Sequence, residues 1–173
     1  MRVAVVGYSG PVDRPPVSDV ADVARELGRR LAEEGHVVIT GGRDGVMELV
    51  SEAARSAGGL VVGVLPGREG EGYVNPHVDV PIYTSMDFQM RSHILIHSAQ
   101  VVVSIGGEIG TAVEILLAYA AKKPVVLLRG TGGWTDRFAS VLIDGEYLDN
   151  RRMVKVKQTW SVEEVIDLLR KGG

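Results

Sequence analysis

The chemically promising residues of this chain are a set of glycines and one carboxylate. Four apolar runs are each followed by a glycine turn: Gly7-Tyr8-Ser9-Gly10, Gly41-Gly42-Arg43-Asp44-Gly45, Gly106-Gly107-Glu108-Ile109-Gly110-Thr111 and Gly130-Thr131-Gly132-Gly133. One such turn after a strand is ordinary. Four at one end of a sheet suggest that backbone must come close to a ligand, the plainer alternative being four tight turns. Neither common nucleotide motif is present: "GGEIGT" lacks the lysine of a Walker loop, and "GYSG" lacks the G-x-G-x-x-G spacing of a dinucleotide fold. What remains is a general device, in which free N–H groups at a helix N-terminus, carrying a partial positive charge, hold an anion. Gly110 and Thr111 stand where such a helix should begin, and the Thr111 hydroxyl is expected to add a hydrogen bond. Glu114, three residues further on, shares that helix face. One helical turn, about 5.4 Å, separates it from a phosphate and lets it face the attached sugar. There a carboxylate stabilises positive charge at an anomeric carbon as an N-glycosidic bond breaks. A glutamate in a first turn also simply complements the helix dipole, and spacing alone leaves both roles open.

These turns are held by alternating strands and helices. "RVAVVG" (2–7), "HVVITGG" (36–42), "LVVGVLP" (60–66), "DVPIYT" (79–84), "VVVSIGG" (101–107) and "PVVLLRG" (124–130) read as strands, with a weaker one at 153–157. Helices are expected over 18–34 with Ser18 as N-cap, 46–59 with a glycine C-cap, 85–100, 111–123, 134–142 and 161–171 with Ser161 as cap. The strands are continuous apolar runs, the pattern of a parallel sheet covered on both faces. The expected fold is therefore a Rossmann-like, doubly wound α/β sheet flanked by helices, as one domain over residues 1–173.

Composition narrows the functions. The 173 residues are 45% hydrophobic and 24% charged, which describes a well-buried globular chain. A net charge of −3 argues against nucleic acid as a partner. With no cysteine, thiolate nucleophiles and cysteine-based metal sites are impossible. The N-terminal apolar run is too short for a signal peptide and no run suits a membrane span, so a cytoplasmic protein without membrane contact is expected. No metal and no resident cofactor are expected.

The motifs "GGRDGVM" and "GGEIGTAVE", with Arg91 upstream of Glu114, resemble the LONELY GUY (LOG) superfamily, whose members long carried the label "possible lysine decarboxylase". The resemblance covers about residues 2 to 130 and is closest to the branch akin to the molybdenum-cofactor carrier. It implies a phosphoribohydrolase that cleaves nucleoside 5′-monophosphates to free base and ribose 5-phosphate, or a carrier that holds a phosphorylated pterin in the same cleft without turnover. On that resemblance Gly107, Gly110 and Thr111 hold phosphate, with Gly106 beside them. Arg91 and Glu114 form the catalytic pair, and Gly41, Gly42, Gly45 and Met47 line the nucleotide site. The chain departs from the hydrolase pattern at Gly106, Glu108 and Ser92, where that pattern has proline, glycine and lysine. Pyridoxal chemistry is excluded, since Lys122, Lys123, Lys155, Lys157 and Lys171 all lie outside the glycine turns.

Other residues have two readings each. Gly7, Ser9, Gly130 and Thr131 belong to the expected ligand rim. Ser9 suits a hydrogen bond to a ligand hydroxyl but has no identifiable histidine partner. Arg43 and Asp44 contact the ligand or only hold their turn. Tyr8 and Trp134 stack on a base or pack in the core. Asp87 is placed to orient Arg91 through an i,i+4 pair. His93 and His97 share a helix face, which points to a subunit contact more than to metal. The apolar "HILIH" and "ILLAYAA" segments predict a homodimer or a dimer of dimers.

Overall fold

The computed structural model describes residues 1–172. The expected apolar runs form strands β1 (Arg2–Gly7), β2 (Val37–Thr40), β3 (Val61–Leu65), β4 (Val80–Tyr83), β5 (Val101–Ile105), β6 (Val125–Leu128) and β7 (Val156–Thr159). All pairs are parallel and the order across the sheet is β4-β3-β2-β1-β5-β6-β7. Val3 of the central β1 stands opposite Val38 of β2 and Val101 of β5. The helices are α1 (Ala21–Glu33), α2 (Val46–Ser56), α3 (Phe88–Ser98), α4 (Ile109–Ala120), α5 (Gly133–Ala139) and α6 (Val162–Arg170).

Two cores follow from the two-residue period of the strands. Val3 and Val5 face one way, onto a cluster with Leu27 and Leu31 of α1, Leu49 and Val50 of α2, and Ile166 of α6. Ala4 and Val6 face the other way, with Leu95 and Ile96 of α3, Ile115 of α4 and Phe138 of α5. The right-handed crossover rule explains this division. The chain steps outward from β1 to β4 with α1 and α2 on one face. It then returns through α3 to β5 and steps the other way with α4 and α5 on the opposite face. The reversal falls between β1 and β5, so their carboxyl ends diverge into a crevice.

Three local expectations are corrected. Ser18 does not cap a helix: a 3₁₀ turn over Ser18–Val20 comes first, and α1 starts at Ala21 without a side-chain cap. Asp87 does not orient Arg91. It is the N-cap of α3, its carboxylate accepting from Met90 N–H at 2.8 Å. The C-terminal strand lies later than expected, at Val156–Thr159. The cap at Ser161 and the glycine end of α2 are as expected, Gly58 taking φ 80°. Among the described residues no helix is long and apolar enough to cross a membrane.

The two helices on the first face are locked by a close approach. Gly28 of α1 lies against α2 so tightly that an added Cβ would strike the Val50 carbonyl oxygen. Backbone cannot swing aside as a side chain can. Gly28→Ala should therefore destabilise the protein by about 1–3 kcal/mol in a denaturant melt, despite alanine's better helix propensity. An unchanged or raised midpoint would show that α1 and α2 are not held at this distance.

Candidate functional site

All four glycine turns lie at the carboxyl ends of strands, on one rim of the parallel sheet. The crevice between β1 and β5 opens there as a cavity of about 280 Å³. Gly7, Ser9, Gly41, Met47, Arg91, Gly110, Thr111 and Glu114 line it, as do Arg43, Asp44, Phe88, Ser92 and Glu108.

The remaining rim residues do not line the cavity; they build the walls. Gly45 lies under the Tyr8 backbone, and Gly42 packs on Leu65 and Gly63. Gly106 and Gly107 turn the chain from β5 into α4 with φ 58° and 94°, values that a Cβ disfavours. Their carbonyl oxygens accept from Thr135 and Trp134 N–H of α5, and the Gly106 N–H donates to the Thr131 hydroxyl at 2.8 Å. Thr131 in turn donates to the Leu128 carbonyl. Gly130 lies beside Trp160. Tyr8 is buried against Gly106 and Gly132, and Trp134 packs on Phe138, so neither aromatic faces the cavity.

Helix α4 opens with its amides uncovered. Its N-cap, Glu108, makes no side-chain cap bond. The first amide with an acceptor is Ala112, which donates to Glu108 O at 3.1 Å. Among the described residues those of Ile109, Gly110 and Thr111 have none. The Thr111 hydroxyl is corrected from its expected role. It donates to the Gly7 carbonyl at 3.1 Å, clipping α4 to the end of β1. The groups without a partner at this helix start are thus backbone amides alone.

Opposite it sits Arg91, only 5% exposed. Its guanidinium lies against Gly41, where an added Cβ would collide with Nη1. Nη1 is 3.9 Å from Glu114 Oε1, an ion pair too long for a hydrogen bond. Nε and Nη1 are buried without a hydrogen-bond partner. Burial pulls the Arg91 guanidinium below its ordinary range, Glu114 opposing and Arg43 adding to the shift. Glu114 accepts from the Ser92 hydroxyl at 3.0 Å. Burial pushes its carboxyl above the usual glutamate range, and the pull of Arg91 and of the Ser92 hydrogen bond only partly offsets this.

Sequence reasoning missed two contributors. Phe88, 50% exposed, stands at the mouth with Arg91 Cζ 5.8 Å from its ring centroid. Its place three residues before Arg91, in a chain with two phenylalanines, was the available signal. Asn75 is 1% exposed and donates to the Arg43 carbonyl at 3.0 Å, fastening the second glycine turn. Nothing in "YVNPHV" announces that contact. His93 and His97 lie exposed on α3. Among the described residues no group of three or more histidines or carboxylates is placed to hold a metal.

A parallel α/β sheet with a crevice at its switch point defines the Rossmann-like class of folds. Residues 1–166 match the model of the SLOG cluster4 family, and the chain belongs to that family. The solved structure of TM1055, a structural-genomics target, is 60% identical with TM-score 0.95, each chain covered to 99%. The molybdenum cofactor carrier protein of Chlamydomonas reinhardtii is 34% identical with TM-score 0.78, covering 98% of this chain and 95% of that one. A curated relative, the cytokinin riboside 5′-monophosphate phosphoribohydrolase LOG5 of Arabidopsis thaliana, is 32% identical over 139 residues. That match covers 76% of this chain and 59% of the relative. The chain is a LOG-superfamily protein near the molybdenum-cofactor carrier branch.

The Glu114 environment gives a testable pH dependence. Its folded-state pKa lies above the unfolded value, so the charged form is the penalised one. The fold is spared that penalty below the unfolded value and bears it in full once the pH has risen past the folded one. In an NMR titration of labelled carboxyl carbons, Glu114 should titrate above the ordinary glutamate range. Ser92→Ala should raise its midpoint further, because a hydrogen bond to the charged form is lost. A wild-type midpoint at or below the ordinary range would contradict this account.

Proposed function

We propose that the crevice binds a phosphorylated, nucleotide-like small molecule and hydrolyses the N-glycosidic bond of a nucleoside 5′-monophosphate. The carrying observation is the facing arrangement of uncovered α4 amides and buried Arg91, whose Nε and Nη1 lack partners, in one cavity that also holds Glu114. The phosphate lies on the amides of Gly110 and Thr111. The sugar then faces Glu114 one turn along α4.

In the reaction the bond between the anomeric carbon and the base nitrogen breaks, and its electron pair leaves with the base. Glu114 stabilises the oxocarbenium-like state and takes a proton from the attacking water, whose oxygen bonds the anomeric carbon. That proton passes to the base. A carboxyl held above the usual range is better matched to proton transfer near neutral pH than an exposed one. Arg91 neutralises the ligand's charge and positions it. LOG5, a named phosphoribohydrolase, supports the reading.

A second reading is a carrier that holds a phosphorylated pterin without turnover. Ser92 beside Glu114 favours it, because the hydrolase pattern has a lysine there and this site has one fewer cation. Glu108 at the cavity wall favours it too, and the named carrier protein of similar fold supports it. On either reading we infer that two copies of the chain pair, in keeping with exposed Met90 on α3 and Leu116 on α4.

Incubation with AMP, GMP and CMP, followed by chromatography, should show free base. Glu114→Ala and Arg91→Ala should each lower that rate by about 100-fold or more. Hydrolysis left intact in Glu114→Ala would remove the catalytic assignment. No release from any nucleotide, with clear thermal stabilisation by AMP, would favour the carrier.

A further inference from the structure

The Arg43 guanidinium lines the same cavity, 5.4 Å from the Phe88 ring centroid, while Arg91 lies 5.8 Å from the same centroid. Among the described residues Arg43 pairs with no carboxylate, whereas fourteen of the fifteen ion pairs lie elsewhere in the molecule and the fifteenth joins Arg91 to Glu114. Its backbone is fixed from two sides. Buried Asn75 donates to the Arg43 carbonyl, and the Asn75 N–H donates to Gly42 O at 3.0 Å. Gly72 lets loop 67–78 pass over the guanidinium, since a Cβ there would come within 2.6 Å of Nη1. A turn clamped this firmly around a cation without a partner does more than connect β2 to α2.

We propose that Arg43 and Arg91 form a second anion subsite at the end of β2, so that the ligand carries two separate anionic groups, one on the α4 amides and one between the guanidiniums. The inference rests on the phosphate-binding reading above and adds the ligand's other end to it. Strand order sets the separation. β1 lies between β2 and β5, so the two subsites sit about two strand spacings, or about 10 Å, apart. A single phosphate cannot fill both. The two cations lie close enough for Arg43 to act on Arg91, although Glu114 acts on it more strongly in the opposite sense. An anion between them would satisfy the Nε and Nη1 groups that Arg91 buries without partners. A nucleoside monophosphate has one anionic end, held by the α4 amides with Arg91 supplying countercharge, and leaves the position between the two guanidiniums empty. A phosphorylated molecule with a second phosphoryl, carboxylate or oxyanion group at its far end uses both.

The test is calorimetric titration with AMP and with N6-(1,2-dicarboxyethyl)-AMP, whose carboxylates lie at the far end of the base from its phosphate, using wild type, Arg43→Ala and Arg43→Gln. The glutamine variant removes the charge while keeping a polar side chain in the turn. Wild type should bind the dicarboxylate about tenfold more tightly than AMP, the increment of one charge-assisted anion contact. Both variants should lose that advantage while their AMP affinity moves by less than about threefold. Equal affinity of wild type for the two ligands would overturn the inference, as would a parallel loss of both in the variants. In either case the first phosphate site would stand. No AMP binding by wild type would remove the phosphate-binding reading and this inference together.

Discussion

Arg91 is a cation withdrawn from water with two of its N–H-bearing nitrogens unsatisfied, and the rest of the crevice is arranged around it. Burying a charge costs several kcal/mol even after relaxation, and the usual compensation is a close, hydrogen-bonded counter-ion. Glu114 lies at 3.9 Å, too far to supply one. The geometry that keeps Arg91 in place is expensive in other ways. Gly41 gives up a side chain to admit the guanidinium, and Phe88 stays half exposed beside it. An arriving anion would satisfy the arginine's unpartnered N–H groups.

The same logic applies to α4. Helices α3 and α6 are capped by Asp87 and Ser161, whose side chains accept from the backbone three residues on. Such a cap contributes about 1 kcal/mol. Helix α4 begins with Glu108 and has none, as is also true of α1, α2 and α5. Thr111 could have served the helix start, yet its hydroxyl ties α4 to the Gly7 carbonyl and fixes the uncovered amides relative to β1.

Much of this was legible in the sequence. Continuous apolar runs such as "VVVSI" announced a parallel sheet, and each glycine turn fell where it was expected, because strand ends and glycine punctuation are local properties. The pairing of Arg91 with Glu114 came through the family resemblance, since no spacing rule joins residues on two different helices. The errors share one cause. Ser18, Asp87 and the Thr111 hydroxyl were each given the partner that spacing offered, and tertiary structure gave the first no capping role, the second the Met90 amide and the third the Gly7 carbonyl. Gly130 and Thr131 resembled ligand contacts, but their turn supports its neighbour, with Thr131 accepting from Gly106. Asn75 was invisible because its contact joins residues separated in the chain by α2 and β3. Local pattern locates the rim; only the packed chain shows which rim residues face inward.

The most direct test of the account is a crystal structure of the protein grown with AMP. The phosphate should lie within hydrogen-bond distance of the Gly110 and Thr111 amides, with the ribose turned toward Glu114. A phosphate seated elsewhere on the rim, or amides of α4 covered by the protein's own side chains, would contradict it.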